Sequence, residues 1–221
     1  MDLGLTDKVV MVAGAGQGLG YGTARALARE GARVSICSHL VDEIQAAEAR
    51  LQAETGGQVM ATVCDVRDPA AIQAWTERTV AAWGRVDGLF ANAGGPPAGY
   101  FKELSEAQWQ AAFELTLLSA VRLIRTVLPH MPAGSAIVAS TSSSVIEPIE
   151  RLVLSNVMRA GVAGLVKTLA DELAPDGIRI NNLMPGRIDT ERVAQLDRLA
   201  AERQGTRFDD VRAQSIATIP L

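Results

Sequence analysis

Glycines Gly14, Gly18 and Gly20 fall in the run Gly14-Ala15-Gly16-Gln17-Gly18-Leu19-Gly20, directly after a short apolar stretch. Glycine there allows a tight turn and a close approach of backbone to a ligand. A helix starting at such a turn offers unpaired N–H groups and the positive end of its dipole, which suits a pyrophosphate. The strict G-x-G-x-x-G spacing fails, because Leu19 stands where its third glycine belongs. A turn that merely packs helix on strand would use the same residues. Four further polar segments follow apolar runs: Asp65-Val66, Asn92-Ala93-Gly94, Ser140-Thr141-Ser142-Ser143-Ser144 and Pro185-Gly186-Arg187-Ile188-Asp189-Thr190. Singly, an Asx turn or a polar loop accounts for each. Together they would share one edge of a sheet, where ligands bind in open α/β folds.

The elements that must position these residues alternate along the chain. Strands are expected at Lys8–Ala13, Arg33–Cys37, Gln58–Cys64, Val86–Ala91, Ser135–Ser140 and Ile178–Leu183. Between them, helices are expected at Thr23–Glu30, Asp42–Glu54, Pro69–Trp83, Ser105–Leu128 and Leu152–Leu173. Asp68-Pro69 reads as an N-cap with proline at the first helical position, and Ser105 with Gln108 as a capping box. The strands are apolar throughout rather than alternating, as when helices cover both faces of a parallel sheet. The expected fold is α/β: a Rossmann-type doubly wound parallel sheet, in a single domain over 1–221 with 187–215 as a substrate-side flap.

Composition excludes other classes. The 221 residues carry 21 Lys plus Arg against 25 Asp plus Glu, a net charge of −4, so neither nucleic acid nor an anionic membrane is an expected partner. Aromatics make up 4%, too few for base-stacking platforms. Two histidines, His39 and His130, and two cysteines, Cys37 and Cys64, supply no metal cluster and no supported Ser-His-Asp triad. The cysteines lie in apolar strand-like runs and read as buried small hydrophobes rather than a disulfide. The N-terminus lacks the basic and apolar stretches of a signal peptide, and no run reaches membrane-spanning length, so the cytoplasm is the expected location.

With its segments in this order, the sequence resembles the short-chain dehydrogenase/reductase family in its classical form, over essentially the whole chain. The resemblance implies a nicotinamide dinucleotide on Gly14, Gln17, Gly18, Leu19 and Gly20, with adenine at Asp65 and Val66. It implies that Asn92, Ala93 and Gly94 line the cofactor, and that Pro185, Gly186, Ile188 and Thr190 hold the nicotinamide amide. The implied substrate is a small carbonyl or alcohol, and the implied assembly a homodimer or homotetramer paired through helices 105–128 and 152–173.

The departures from that family carry the most information. Its active site uses an asparagine, a serine, a tyrosine that moves the substrate proton, and a lysine that lowers the tyrosine pKa and grips the nicotinamide ribose. Aligned on the helix before Lys167, Ser155 takes the tyrosine position and Arg159 the lysine position, while the asparagine position falls on Thr116. The catalytic serine survives as Ser142, thirteen residues before Ser155. An aliphatic hydroxyl is far less acidic than a phenol, and arginine keeps its proton. Arg159 can thus keep the cofactor-holding role, whereas proton delivery falls to Ser142, to a water between Ser155 and Arg159, or to a residue outside the motif such as Tyr100. A polar helix face without chemistry would also fit Ser155 and Arg159, which makes a dinucleotide-binding sensor or subunit partner the alternative to an enzyme. After the second strand the sequence reads Cys37-Ser38-His39-Leu40, with no acid to grip a ribose. Ser38 and His39 suit a 2′-phosphate, so NADP(H) is favoured over NAD(H). Members of the family continue past the apolar ending Ser215–Leu221 with another strand and a helix, so the resemblance implies either a truncated chain or an exposed sixth strand.

Overall fold

Valine, isoleucine and alanine dominate the segments that become strands: β1 (Val9–Val12), β2 (Arg33–Ser38), β3 (Val59–Val63), β4 (Gly88–Ala91), β5 (Ala136–Ser140) and β6 (Arg179–Leu183). In the computed structural model, which describes residues 1–219, they form one parallel sheet in the order β3-β2-β1-β4-β5-β6. This is the doubly wound order, with its switch point between β1 and β4. Val10 pairs with Val34 on one side and Gly88 on the other, which fixes the register of both halves. Strand residues alternate between faces. Met11, Leu89 and Ile137 enter a core with Ile72, Trp75 and Leu123, while Val10, Val12 and Ile36 enter the opposite core with Ala24, Ile44 and Leu51.

The helices α1 (Gly18–Arg29), α2 (Val41–Thr55), α3 (Pro69–Trp83) and α6 (Val153–Leu173) fill the connections as expected. Asp68 caps α3 by accepting from Ala70 N at 2.8 Å. Asp68→Ala is expected to cost about 1 kcal/mol of stability, read as a shifted urea midpoint with an unchanged m-value. Two expectations need correction. α1 begins at Gly18 rather than Thr23, so the last glycines of the motif are already helical. The expected helix over 105–128 is divided: α4 (Glu106–Ala112) and α5 (Ser119–Val127) flank a π-helical stretch, Phe113–Leu118. No capping or glycine signal marks that widening in the sequence.

Chain contacts divide the molecule into two units, Met1–Gly186 and a second from Arg187 onward. The second holds α7 (Glu191–Gln204) and α8 (Phe208–Ile216). Within it, Arg187 pairs with the Asp197 carboxylate and Arg212 with Asp189 at 2.6 Å. Among the described residues, no helix is long and apolar enough to cross a membrane.

Candidate active site

The glycine turn sits between β1 and α1. Gly14 and Gly18 have φ of +60° and +58°, backbone that L side chains adopt with difficulty. A Cβ on Gly20 would lie 2.2 Å from Gly14 O, so the turn and the helix touch backbone to backbone. Gln17 precedes α1 without a side-chain cap, which leaves the N–H groups of the first turn for an anion. Ala13 N donates to Phe90 O and Ala15 N to Cys37 O, pinning the turn to β4 and β2. Asn92 reaches across the switch point, its Nδ2 donating to Ala13 O at 3.2 Å and Gly14 O at 3.4 Å. The cradle is thus tight and glycine-dependent, the N–H groups at the start of α1 suit a pyrophosphate, and the Glu43 carboxylate rests against Gly16. Gln17 precedes α1 and Leu19 lies in its first turn, and Ala93 and Gly94 continue from Asn92.

The ends of β2 and β3 differ in detail from their sequence reading. His39 is exposed. Ser38 is buried, and its hydroxyl donates to Glu43 Oε1 at 3.0 Å rather than standing open. Asp65 is gripped by Arg67, which donates from its backbone N at 2.9 Å and from Nη2 at 2.6 Å. The guanidinium holds the Asp65 carboxyl below its ordinary range. Val66 is buried beside it. Cys37 and Cys64 are buried free thiols, and burial pushes Cys37 upward.

Near the end of β5, two of the side chains singled out in the sequence, Ser155 and Arg159, are bonded to each other. Ser142 Oγ accepts from Ser144 N at 3.1 Å and caps a short 3-10 turn, Ser143–Val145. Ser143 N donates to Pro185 O at 3.0 Å, which ties that turn to the Pro185-Gly186 loop. Ser155, 9% exposed, accepts from Arg159 Nε at 3.0 Å. Arg159 Nη1 donates to Ser140 O at 3.0 Å and Thr141 O at 3.2 Å. Because Arg159 and Ser155 are bonded directly, a water between them does not fit. Ile188 is exposed in the second unit, where Thr190 caps α7 by accepting from Val193 N at 3.4 Å. Tyr100 is committed elsewhere: its hydroxyl donates to Glu150, and the Arg151 guanidinium covers its ring at 4.4 Å.

Within the first unit lies a small cavity lined by Asn92, Thr116, Ser119, Ser140 and Arg159. Thr116 belongs to the π-helical stretch and is 5% exposed, yet its Oγ1 has no hydrogen-bond partner among the described residues. Such widened helices are frequent at functional sites, and an orphaned buried hydroxyl invites a ligand or water. Sequence reading reached Thr116 only through the family alignment, and it missed Glu43 altogether. Glu43 looked like an ordinary acid in the first turn of α2.

Residues 8–200 match the family model described as short chain dehydrogenase. A probable galactose dehydrogenase of Rhizobium meliloti is 31% identical over 194 residues, which cover 87% of this chain and 76% of that protein. The crystal structure of L-sorbose reductase from Gluconobacter frateurii, complexed with NADPH and L-sorbose, superposes with a TM-score of 0.91 at 30% identity. That match covers 98% of this chain and 83% of the other. An NADPH-bound short chain oxidoreductase of Pseudomonas aeruginosa PAO1, described as containing an atypical catalytic center, superposes with a TM-score of 0.83 at 30% identity. It covers 89% of this chain and 78% of that one.

Proposed function

Because the chain belongs to the short-chain dehydrogenase family, we propose that it is an NAD(P)(H)-dependent oxidoreductase with an altered proton-transfer centre, interconverting a small carbonyl and an alcohol. The observation that carries this reading is the Arg159 fork. One guanidinium holds Ser155 Oγ, Ser140 O and Thr141 O at the strand ends, beside the cavity that Asn92 and Thr116 also line. When bound, the dinucleotide supplies or accepts hydride. Gly14, Gln17, Gly18, Leu19 and Gly20 would hold its pyrophosphate, Asp65 and Val66 its adenine, and Pro185, Gly186, Ile188 and Thr190 its nicotinamide end. Asn92 braces the cradle by bonding Ala13 and Gly14. Arg159 carries permanent charge to the ribose and keeps its proton. In this reading Ser155 stands at the tyrosine position and Arg159 at the lysine position of the family. The hydroxyl of Ser155 accepts from Arg159, so its own proton stays available to donate. Ser142 would orient the substrate oxygen.

NADP(H) is favoured over NAD(H) in this reading. Its support is the missing acid at the end of β2, the exposed His39 and the NADPH-bound state of two structural relatives. The same reading treats the chain as one dinucleotide-binding domain with 187–215 as a flap, located in the cytoplasm and paired as a homodimer or homotetramer. Sedimentation of the purified protein checks the pairing.

An aliphatic hydroxyl is a poor acid beside a phenol, so turnover on simple ketones should be slow, below about 1 per second. NADPH consumption over a panel of ketones and aldehydes tests this. Ser155→Ala is expected to lower the rate a further tenfold or more while leaving NADPH affinity within about threefold. Brisk turnover that survives Ser155→Ala would place the acid elsewhere. Tight NADPH binding with no turnover on any carbonyl would favour a sensor or subunit partner instead.

A further inference from the structure

Glu43 joins two parts of the adenosine side that the sequence leaves separate. Its Oε1 accepts from Ser38 Oγ at the end of β2. The same carboxylate lies over the glycine turn so closely that a Cβ on Gly16 would fall 1.8 Å from Oε1 and 2.5 Å from Cδ. Gly16 therefore makes room for an acid. In a doubly wound fold, a dinucleotide seated on the glycine turn places its adenosine ribose in the corner between that turn and the end of the second strand. A carboxylate in this corner can accept from ribose hydroxyls, and it repels a 2′-phosphate dianion.

From this placement we infer that Glu43 is a cofactor-specificity residue, one that penalises the 2′-phosphate and so limits how far the protein favours NADP(H). The inference rests on the dinucleotide reading of the glycine turn. His39 draws the phosphate in, while Glu43, which engages the Ser38 hydroxyl, opposes it and must leave Gly16 when the phosphate enters. The bond from Ser38 gives the carboxylate a fixed position, and Gly16 gives it a backing without side chain. Sequence reading of the segment after β2 looks for an acid at 37–40 and finds none; the acid arrives from the first turn of α2 instead.

Direct titration of the full chain with NADPH, NADH, 2′,5′-ADP and 5′-AMP tests the inference without any catalytic readout. Glu43→Gln keeps the shape and removes the charge. It should tighten NADPH and 2′,5′-ADP about tenfold at low salt and leave NADH and 5′-AMP within about threefold. Added salt should shrink the difference, because mobile ions screen the repulsion between carboxylate and phosphate. Gly16→Ala should act in the same direction by pushing the carboxylate off the turn. An NADPH to NADH affinity ratio unchanged within twofold in Glu43→Gln overturns the role of Glu43 and leaves the dinucleotide reading standing. Failure of all four ligands to bind both wild type and variant overturns both together.

Discussion

Gly18→Val is expected to abolish dinucleotide binding, raising the dissociation constant for NADPH at least a hundredfold in a protein that still folds. Gly18 opens α1 with φ at +58°, a region that is costly for a β-branched residue. Local strain of this kind costs about 1–3 kcal/mol, which a chain of this size registers as a fall in Tm of several degrees rather than as unfolding. The binding loss comes from a different source. An isopropyl group at the first helical position crowds the N–H groups that face an anion, and it forces the turn to relax away from its shape. Titration calorimetry with NADPH, beside a far-UV circular dichroism spectrum, separates the two effects. A folded variant with wild-type affinity would remove the cradle from the account. Gly18→Ala adds only a methyl group and should retain part of the affinity.

The double change Ser155→Tyr with Arg159→Lys is expected to raise carbonyl reduction about a hundredfold over wild type. A positioned general acid contributes about 10²–10⁴-fold, and the lower end applies because Ser155 is buried and a ring must find space there. Arg159 also holds Ser140 O and Thr141 O, so the lysine must satisfy at least one of them or leave a buried carbonyl unpaired. The pH profile supplies the distinctive signature. A phenol near an ammonium titrates below its usual value of about 10. Reduction requires the protonated phenol, so the rate should fall as pH rises through that pKa, a basic limb that the wild type lacks. Arg159→Lys alone should gain little, since the acid would still be missing. Steady-state NADPH consumption at several pH values measures all three proteins. No gain from the double change, in a folded protein that binds NADPH, would mean that Ser155 and Arg159 do not stand where the phenol and ammonium would act.

How far the fold could be read from sequence depended on how local its signals were. Asp68-Pro69 and the glycine after Trp83 delimit α3 without tertiary context, and α3 runs from Pro69 to Trp83. The six strands were legible as apolar runs with β-branched residues, because both faces of the sheet are covered. The division of the helix over 105–128 was not legible. Its residues Phe113–Leu118 carry no glycine, proline or capping signal to set that stretch apart from the helical turns on either side. At the candidate site, the glycine turn and Asn92 were visible because their chemistry is tied to short spacing. The bond from Asn92 to Ala13 and Gly14 spans 79 and 78 residues, so only the fold reveals it as a brace. Glu43 was hidden for the opposite reason. An acid in the first turn of a helix is a common stabilising feature, and nothing in its neighbours announces that it leans on Gly16.

In the proposed reaction, hydride would pass between a nicotinamide cofactor and a carbonyl at the strand ends, despite the serine and arginine at 155 and 159. Transfer of deuterium from NADPH carrying deuterium at both C4 positions to a panel of ketones and aldehydes, read by mass spectrometry of the alcohols, tests it most directly. The account predicts slow appearance of deuterated alcohol with wild type, faster appearance with the double variant, and none with Gly18→Val. Undeuterated product, or no product at all from wild-type protein saturated with the cofactor, would contradict it.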